Sequence, residues 1–234
     1  MATPLPQILS NLHAAAEAAG RPDPRLLAVS KTQPAEAVAA LAAQGQQAFG
    51  ENYVQEALAK MQALQHLALE WHLIGHLQSN KAEAVATHFD WVQSVDRPKL
   101  VTALARHRPA ARGPLNVLIQ VNIDDESSKH GCAPEDVEGL AAAIAAEPSL
   151  CLRGLMAIPA PWPEVERRRD AFVRMRTLFQ SLAAQRAQVD TLSMGMSSDY
   201  AEAIAEGATL VRIGTALFGA RAPGLIFQGD FHGS

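Results

Sequence analysis

One pattern constrains this chain more than any other: short apolar runs alternate eight times with longer, alanine-rich stretches. The runs are "LLAVSK" from Leu26, "QQAFGEN" (Gln46 to Asn52), "WHLIGHLQ" (Trp71 to Gln78), "DWVQSVD" (Asp90 to Asp96), "LNVLIQVN" (Leu115 to Asn122), "CLRGLMAIP" (Cys151 to Pro159), "TLSMGMSSD" (Thr191 to Asp199) and "LVRIGTALFG" (Leu210 to Gly219). Apolar cores this short, bounded by turn residues, read as strands buried on both faces. The stretches between them suit helices: Ala35 to Gln44, Val54 to Leu67, Pro98 to His107, Pro134 to Ala146, Val165 to Ala187 and Tyr200 to Glu206. Strict alternation predicts a parallel sheet with right-handed crossovers, and eight units predict a closed (β/α)8 barrel of the TIM type. Thr3 to Ala19 is expected as an extra N-terminal helix. No linker or composition shift marks a boundary, so residues 1–234 are read as a single domain. An open doubly wound sheet is disfavoured because no GxGxxG follows the first run.

Composition narrows the class. Hydrophobic residues make up 48% and charged residues 19% of the 234, a globular balance. A formal charge of −4 gives no reason to expect nucleic acid or an anionic membrane as partner. Cys132 and Cys151 form no CxxC pair and are too few for a disulfide framework, which suits a reducing cytoplasm. The N-terminal "MATPLPQILSN" does not resemble a signal peptide, and no apolar run approaches membrane-spanning length.

A barrel of this kind carries its site at the C-terminal ends of the strands. Polar and glycine residues cluster there: Lys31, Glu51 and Asn52, His76 and Gln78, Ser94 and Asp96, and Asn122. Met156 lies near the end of the sixth run, followed by "SMGMSSD" and "RIGT" after the seventh and eighth. Ser94, Asp96 and Asn122 also read well as caps or turn residues. Pro34 suits the first turn of the helix after Lys31. Gly195 with Ser197 and Ser198, and Gly214 with Thr215, form adjacent glycine-containing turns after the last two strands, a setting for phosphate. Period-2 alternation points Arg212 and Gly214 to the same side of their strand. A phosphate subsite, an arginine and a lysine across the mouth suggest a flat phosphorylated ligand with a carbonyl. His72 and His76 share one run, but neither a third histidine nor a clustered carboxylate is visible to complete a metal site. Lys81 reads as a solvated helix residue, and Lys129 as a loop lysine and candidate secondary contact.

The junction "AVSKTQP", the stretches "FGENYVQE", "WHLIGHLQSNK", "SKHG" and "GLMAI", and the closing "SMGMSSD" and "VRIGTALFG" closely resemble the pyridoxal phosphate homeostasis proteins, the YggS/PROSC family. The resemblance runs from Leu26 to Gly219. It implies a (β/α)8 barrel like the N-terminal domain of alanine racemases, with pyridoxal 5′-phosphate (PLP) bound and no established catalysis. It further implies that Lys31 is the Schiff-base lysine and that Ser197, Gly214 and Thr215, with Ser198 beside them, meet the phosphate. Arg212 then faces the pyridine nitrogen, and Met156 and Asn52 flank the ring.

These roles are chemically coherent. A lysine desolvated at a barrel mouth is more easily neutral, the form that attacks an aldehyde. An arginine, with a pKa above ~12, donates to the pyridine nitrogen but cannot accept its proton, which leaves PLP a weak electron sink. Alanine racemases rely on a second domain that supplies a tyrosine base, whereas only twenty residues, Thr215 to Ser234, follow the last strand here. Tyr53 and Tyr200 are expected at helix starts. The carrier or buffer reading is therefore preferred over an amino-acid racemase or related PLP enzyme, with a monomer expected and apo-PLP enzymes as candidate recipients.

Overall fold

The computed structural model describes residues 2–126 and 130–219 and shows the expected closed barrel. Its strands are β1 (Arg25–Val29), β2 (Ala48–Glu51), β3 (Glu70–Leu73), β4 (Trp91–Val95), β5 (Leu115–Gln120), β6 (Leu150–Met156), β7 (Thr191–Ser193) and β8 (Leu210–Ile213). They pair in parallel in chain order, and β8 closes on β1 with Leu27 opposite Arg212. The helices are α1 (Leu5–Ala19), α2 (Ala35–Ala42), α3 (Val54–Ala63), α4 (Ala82–His88), α5 (Pro98–His107), α6 (Val137–Ala145), α7 (Val165–Gln185), α8 (Tyr200–Ala205) and α9 (Thr215–Phe218). The N-terminal helix α1 packs against α8, and the Thr3 N–H donates to the Ala216 carbonyl at 2.7 Å.

Alternation along each strand separates two cores. Ala28, Phe49, Trp71 and Leu73 turn outward into the large core beneath the helices. Leu27, Ala48 and Leu210 turn inward with Ile74, and Trp91, Leu118 and Met156 fill the adjacent interior. Fully burying a leucine, phenylalanine or methionine among them contributes roughly 1.5–3 kcal/mol.

The sequence runs overshoot the strands at their polar ends. β3 stops at Leu73, so His76 and Gln78 lie in the loop beyond it, and Asn52 likewise follows β2. Lys81 departs from expectation: it ends a 3-10 turn, Ser79–Lys81, and is half-buried. Lys129 lies outside the described residues.

The interior also holds a chain of polar groups. Glu70 enters at the N-terminal end of β3, where its carboxylate accepts from Arg25 and from the His72 ring, each at 2.7 Å. Burial pushes the Glu70 carboxyl up, but the bonds from His72 and Arg25 outweigh it and hold the group down to about 2. A depressed carboxyl stabilises the fold fully above its unfolded pKa and loses that contribution as pH falls through the folded value. Acidification from about 4.5 towards 2 should therefore remove stability through this residue. Glu70→Gln should flatten the stability profile over that range, by on the order of 1–2 kcal/mol because the side chain is partly solvated. Urea unfolding at stepped pH measures it; a profile parallel to the parent protein's would count against this role.

Candidate functional site

Lys31 follows β1 directly and shares the inward parity of Leu27 and Val29, so the strand itself aims it at the barrel mouth. It is half-buried, in a turn closed by the Gln33 N–H donating to the Ser30 carbonyl at 3.0 Å. On the helix side of that turn lies a cluster that motif reading passed over. The Ser30 hydroxyl donates to Glu51 Oε1 at 2.5 Å, and the Lys60 ammonium reaches the Ser30 carbonyl, Glu51 and Glu56. Burial pushes the Glu51 carboxyl up, opposed by the Lys60 charge and by the bonds from Lys60 and Ser30. One signal for Lys60 was available in the sequence: it occupies a core position, three residues after Ala57 and four before Leu64, both buried.

Arg212 is the other charge at the mouth. Inward parity on β8 buries it to 3% exposure. Its guanidinium donates to Ser193 Oγ and to the Ala157 carbonyl, each at 2.7 Å. Burial pushes its pKa down to about 10, opposed by the Asp199 carboxylate, so it remains a cation at neutral pH. The polar chain continues inward: Ser193 Oγ–H donates to Gln93 Oε1 at 2.7 Å, and the Gln93 amide meets His72 Nδ1 at 2.9 Å. Its direction is forced. Burial pushes His72 towards neutrality, and Glu70 only accepts, so the proton sits on His72 Nε2. Nδ1 must then accept from the Gln93 NH2, which leaves the Gln93 carbonyl for Ser193.

The remaining expected residues gather around these two charges. Met156, wholly buried, pairs with Ser193 across β6 and β7 and packs on Trp91 and Leu118. Asn52 follows β2 with its Oδ1 buried and without a partner among the described residues. The backbone of Gly75 presses on it, since a Cβ there would stand 2.2 Å from the Asn52 carbonyl oxygen. Gly195, at φ +92°, accepts the Arg212 N–H at 3.0 Å, and a Cβ on it would come within 2.6 Å of Ala203. Ser197 and Ser198 are exposed in the following turn, which Asp199 shapes by accepting the Met196 N–H at 2.6 Å. Gly214 stands against Val29, and Thr215 opens α9 with its side chain exposed. The helices here have only six and four residues, so any anion would be met by local hydroxyls and N–H groups rather than by a long helix dipole.

Two other features lie apart from this arrangement. His72 is inside the barrel, whereas His76 reaches the mouth and meets His130 and Asp96, with ligand atoms within 4.8 Å of one another. Sequence spacing had not indicated that cluster. The two imidazoles are stacked, with centroids 3.8 Å apart and planes 17° apart, so their in-plane lone pairs run side by side and do not converge on one ion. Asp96 is bound to Arg97 at 2.6 Å. A hollow of about 570 Å³ lies by Asp124, Trp162 and Arg174, open to the surface, and Lys31 does not line it.

Because the polar chain fixes the hand of every bond along it, Ser193→Ala should leave both Arg212 and Gln93 short of a partner. The expected loss is ~1–3 kcal/mol of unfolding free energy with an unchanged denaturant slope. Nitrogen NMR should find His72 neutral with its proton on Nε2 at the pH where a solvated histidine is half charged, near 6.5. A charged His72 ring under those conditions would contradict the chain as described.

Comparison with known proteins agrees with this architecture. The family model described as "Alanine racemase, N-terminal domain" matches residues 4–222. The chain is 53% identical over 223 residues to the pyridoxal phosphate homeostasis protein of Pasteurella multocida, covering 93% of this chain and 96% of that protein. It is 55% identical over 218 residues to the protein of the same name from Pseudomonas aeruginosa, covering 92% and 93%. Among solved structures, PipY of Synechococcus elongatus with PLP bound superposes with a TM-score of 0.78 at 37% identity, covering 90% of this chain and 100% of that one. Identity above one half across almost the whole length, on a shared closed barrel, places this chain in the family of pyridoxal phosphate homeostasis proteins, within the alanine racemase N-terminal-domain fold.

Proposed function

We propose that this protein binds PLP at the barrel mouth and serves in cofactor homeostasis as a carrier or buffer rather than as an amino-acid racemase. Lys31 holds the cofactor through its aldehyde. Ser197, Gly214 and Thr215, with Ser198 beside them, receive the phosphate. Asn52 and Met156 flank the ring, and Arg212 faces the pyridine nitrogen. The residues present suit such a ligand. Asn52 has a buried side-chain amide whose Oδ1 lacks a partner among the described residues, so the amide is free to meet a polar ring substituent, and the exposed hydroxyls of Ser197 and Thr215 stand ready as donors.

The observation that carries the carrier reading is the state of Arg212. It is buried, fixed at two points and cationic, so towards a ring nitrogen it can only donate. When bound, PLP can supply an aldehyde for reversible capture and a ring that withdraws electrons; a donor at the nitrogen keeps that withdrawal weak. Tyr53 is 58% exposed at the start of α3, and neither Tyr53 nor Tyr200 is hydrogen-bonded through its hydroxyl to another described residue. No base for carbanion chemistry is therefore held in place by them. Among the described residues no helix is long and apolar enough to cross a membrane. Both cysteines are free, in keeping with a reducing cytoplasm. Apo-PLP enzymes are the proposed recipients, and a monomer is the proposed working state.

Borohydride reduction of the PLP-loaded protein followed by peptide mapping should place a pyridoxyl group on Lys31; label confined to Lys81, Lys129 or another lysine would refute the assignment. Ser197→Ala or Thr215→Ala should weaken PLP by ~10- to 150-fold, the worth of a charge-assisted hydrogen bond, with a much smaller effect on pyridoxal. Equal losses for the two ligands would remove the phosphate placement. Across a panel of L- and D-amino acids, α-deuterium exchange should stay far below ~1 s⁻¹, the low end of ordinary turnover. Exchange at that rate would restore the racemase reading, while reactivation of an apo-PLP enzyme by the loaded protein would support transfer.

A further inference from the structure

Lys60 is placed as no solvated lysine would be. It lies on the sheet-facing side of α3 with 5% of its surface exposed. Its three ammonium protons are matched by three acceptors: the Ser30 carbonyl at 2.7 Å, Glu51 Oε1 at 2.8 Å and Glu56 Oε1 at 2.6 Å. These acceptors bracket Lys31. Ser30, immediately before it, is bound twice, through its carbonyl to Lys60 and through its hydroxyl to Glu51. Thr32, immediately after it, donates its N–H to Glu56 Oε1 at 2.6 Å.

Thr32 also has φ +63°, in the left-handed region. In the Ser30–Gln33 turn it holds the third place, where positive φ ordinarily calls for glycine. A β-branched residue persists there only when its surroundings over-determine it. The Glu56 carboxylate grips the Thr32 N–H, and Lys60 anchors that carboxylate to the end of β1. Lys31 thus stands at the corner of a strained turn, pinned on both sides to one buried ammonium.

We propose that Lys60, Glu56 and Glu51 form an ionic clamp whose task is to hold the Ser30–Gln33 turn strained, and so to present the Lys31 amine to the cofactor's aldehyde. They are positioning residues, acting through Ser30 and Thr32 without touching PLP. This rests on Lys31 being the PLP-bearing lysine. Without the clamp, Thr32 relaxes to negative φ and the turn redirects Lys31 away from the mouth. Lys60 itself is too fully engaged to capture the aldehyde in its place.

The test pairs Glu56→Ala with the double variant Glu56→Ala/Thr32→Gly. Glycine adopts the left-handed conformation unaided, so it should make the clamp dispensable. In the protein without added PLP, hydrogen exchange at the residue 32 amide should rise about fivefold or more in Glu56→Ala, the low end of what relaxing a strained residue is worth. On addition of PLP, the yellow absorption band and the borohydride-trapped label on Lys31 should form about tenfold more slowly in Glu56→Ala and recover most of that loss in the double variant. Recovery by a substitution that adds no contact is not expected of a merely stabilising ion pair. Unchanged labelling in folded Glu56→Ala, or a slow rate that Thr32→Gly leaves uncorrected, would overturn the clamp. Should Glu56→Ala not fold, Glu56→Met supplies the same comparison, since it keeps most of the side-chain volume but removes the acceptor of the Thr32 N–H. Absence of label on Lys31 in the parent protein would instead strike the PLP assignment, and residue 32 exchange would still decide whether the clamp holds the turn.

Discussion

Arg212 places a full positive charge inside a barrel, and the interior is arranged to tolerate it. A charge so placed needs bonded partners and a compensating field, because desolvation otherwise drives it neutral. Ser193 and the Ala157 carbonyl supply the bonds, and Asp199 supplies the nearest negative field. Ser193 in turn needs an acceptor, Gln93 a donor's target, and His72 a carboxylate. The sequence of obligations ends only at Glu70 and Arg25, at the opposite mouth. Each member is satisfied by the next, so the polarity of the whole chain is set by the two charged ends. Trp91 stacks on the His72 ring at 5.1 Å and closes the chain off from one side.

The two lysines near β1 show how the same side chain is used in opposite ways. Lys31 carries inward parity and meets no hydrogen-bond or ion-pair partner among the described residues, as the aldehyde-binding role proposed for it requires. Lys60 is saturated, with three acceptors around one ammonium and little access to solvent. A saturated buried ammonium is a structural pin, because breaking any one bond exposes an unpaired carboxylate or carbonyl to a dry environment. Reactivity and rigidity are divided between neighbours rather than combined in one residue. Glu51 sits between them, with one oxygen bound to Ser30 and Lys60 and the other without a partner among the described residues.

Carrier behaviour and the shape of the site are consistent with each other. In the proposed arrangement, Arg212 as a donor towards the ring nitrogen, the exposed hydroxyls of Ser197 and Thr215 towards the phosphate, and tyrosines without fixed partners among the described residues favour holding a cofactor reversibly over activating it for bond cleavage. Family membership supports the same division, since the chain spans nearly the full length of relatives named for PLP homeostasis.

By itself the sequence determined the barrel, because eight apolar runs separated by helical stretches admit few other closed arrangements. It also determined which side of each strand a residue takes, because the side-chain period of a strand is two. Lys31, Arg212 and Gly214 were legible for that reason, and so were the turns after β7 and β8, where glycine and serine mark the chain. What only the tertiary structure decided was partnership. Gln93 and Ser193 are one hundred residues apart, and Lys60 and Ser30 are thirty apart; no local periodicity says that they touch. The strain at Thr32 was hidden for the same cause, since a threonine adopts a left-handed conformation only when distant groups hold it there. The meeting of His76 with His130 across separate loops, and the half-burial of Lys81 in a 3-10 turn, belong to this second kind as well. Local propensity and strand period are written along the chain, whereas the pairing of buried charges depends on which segments closure of the barrel brings together.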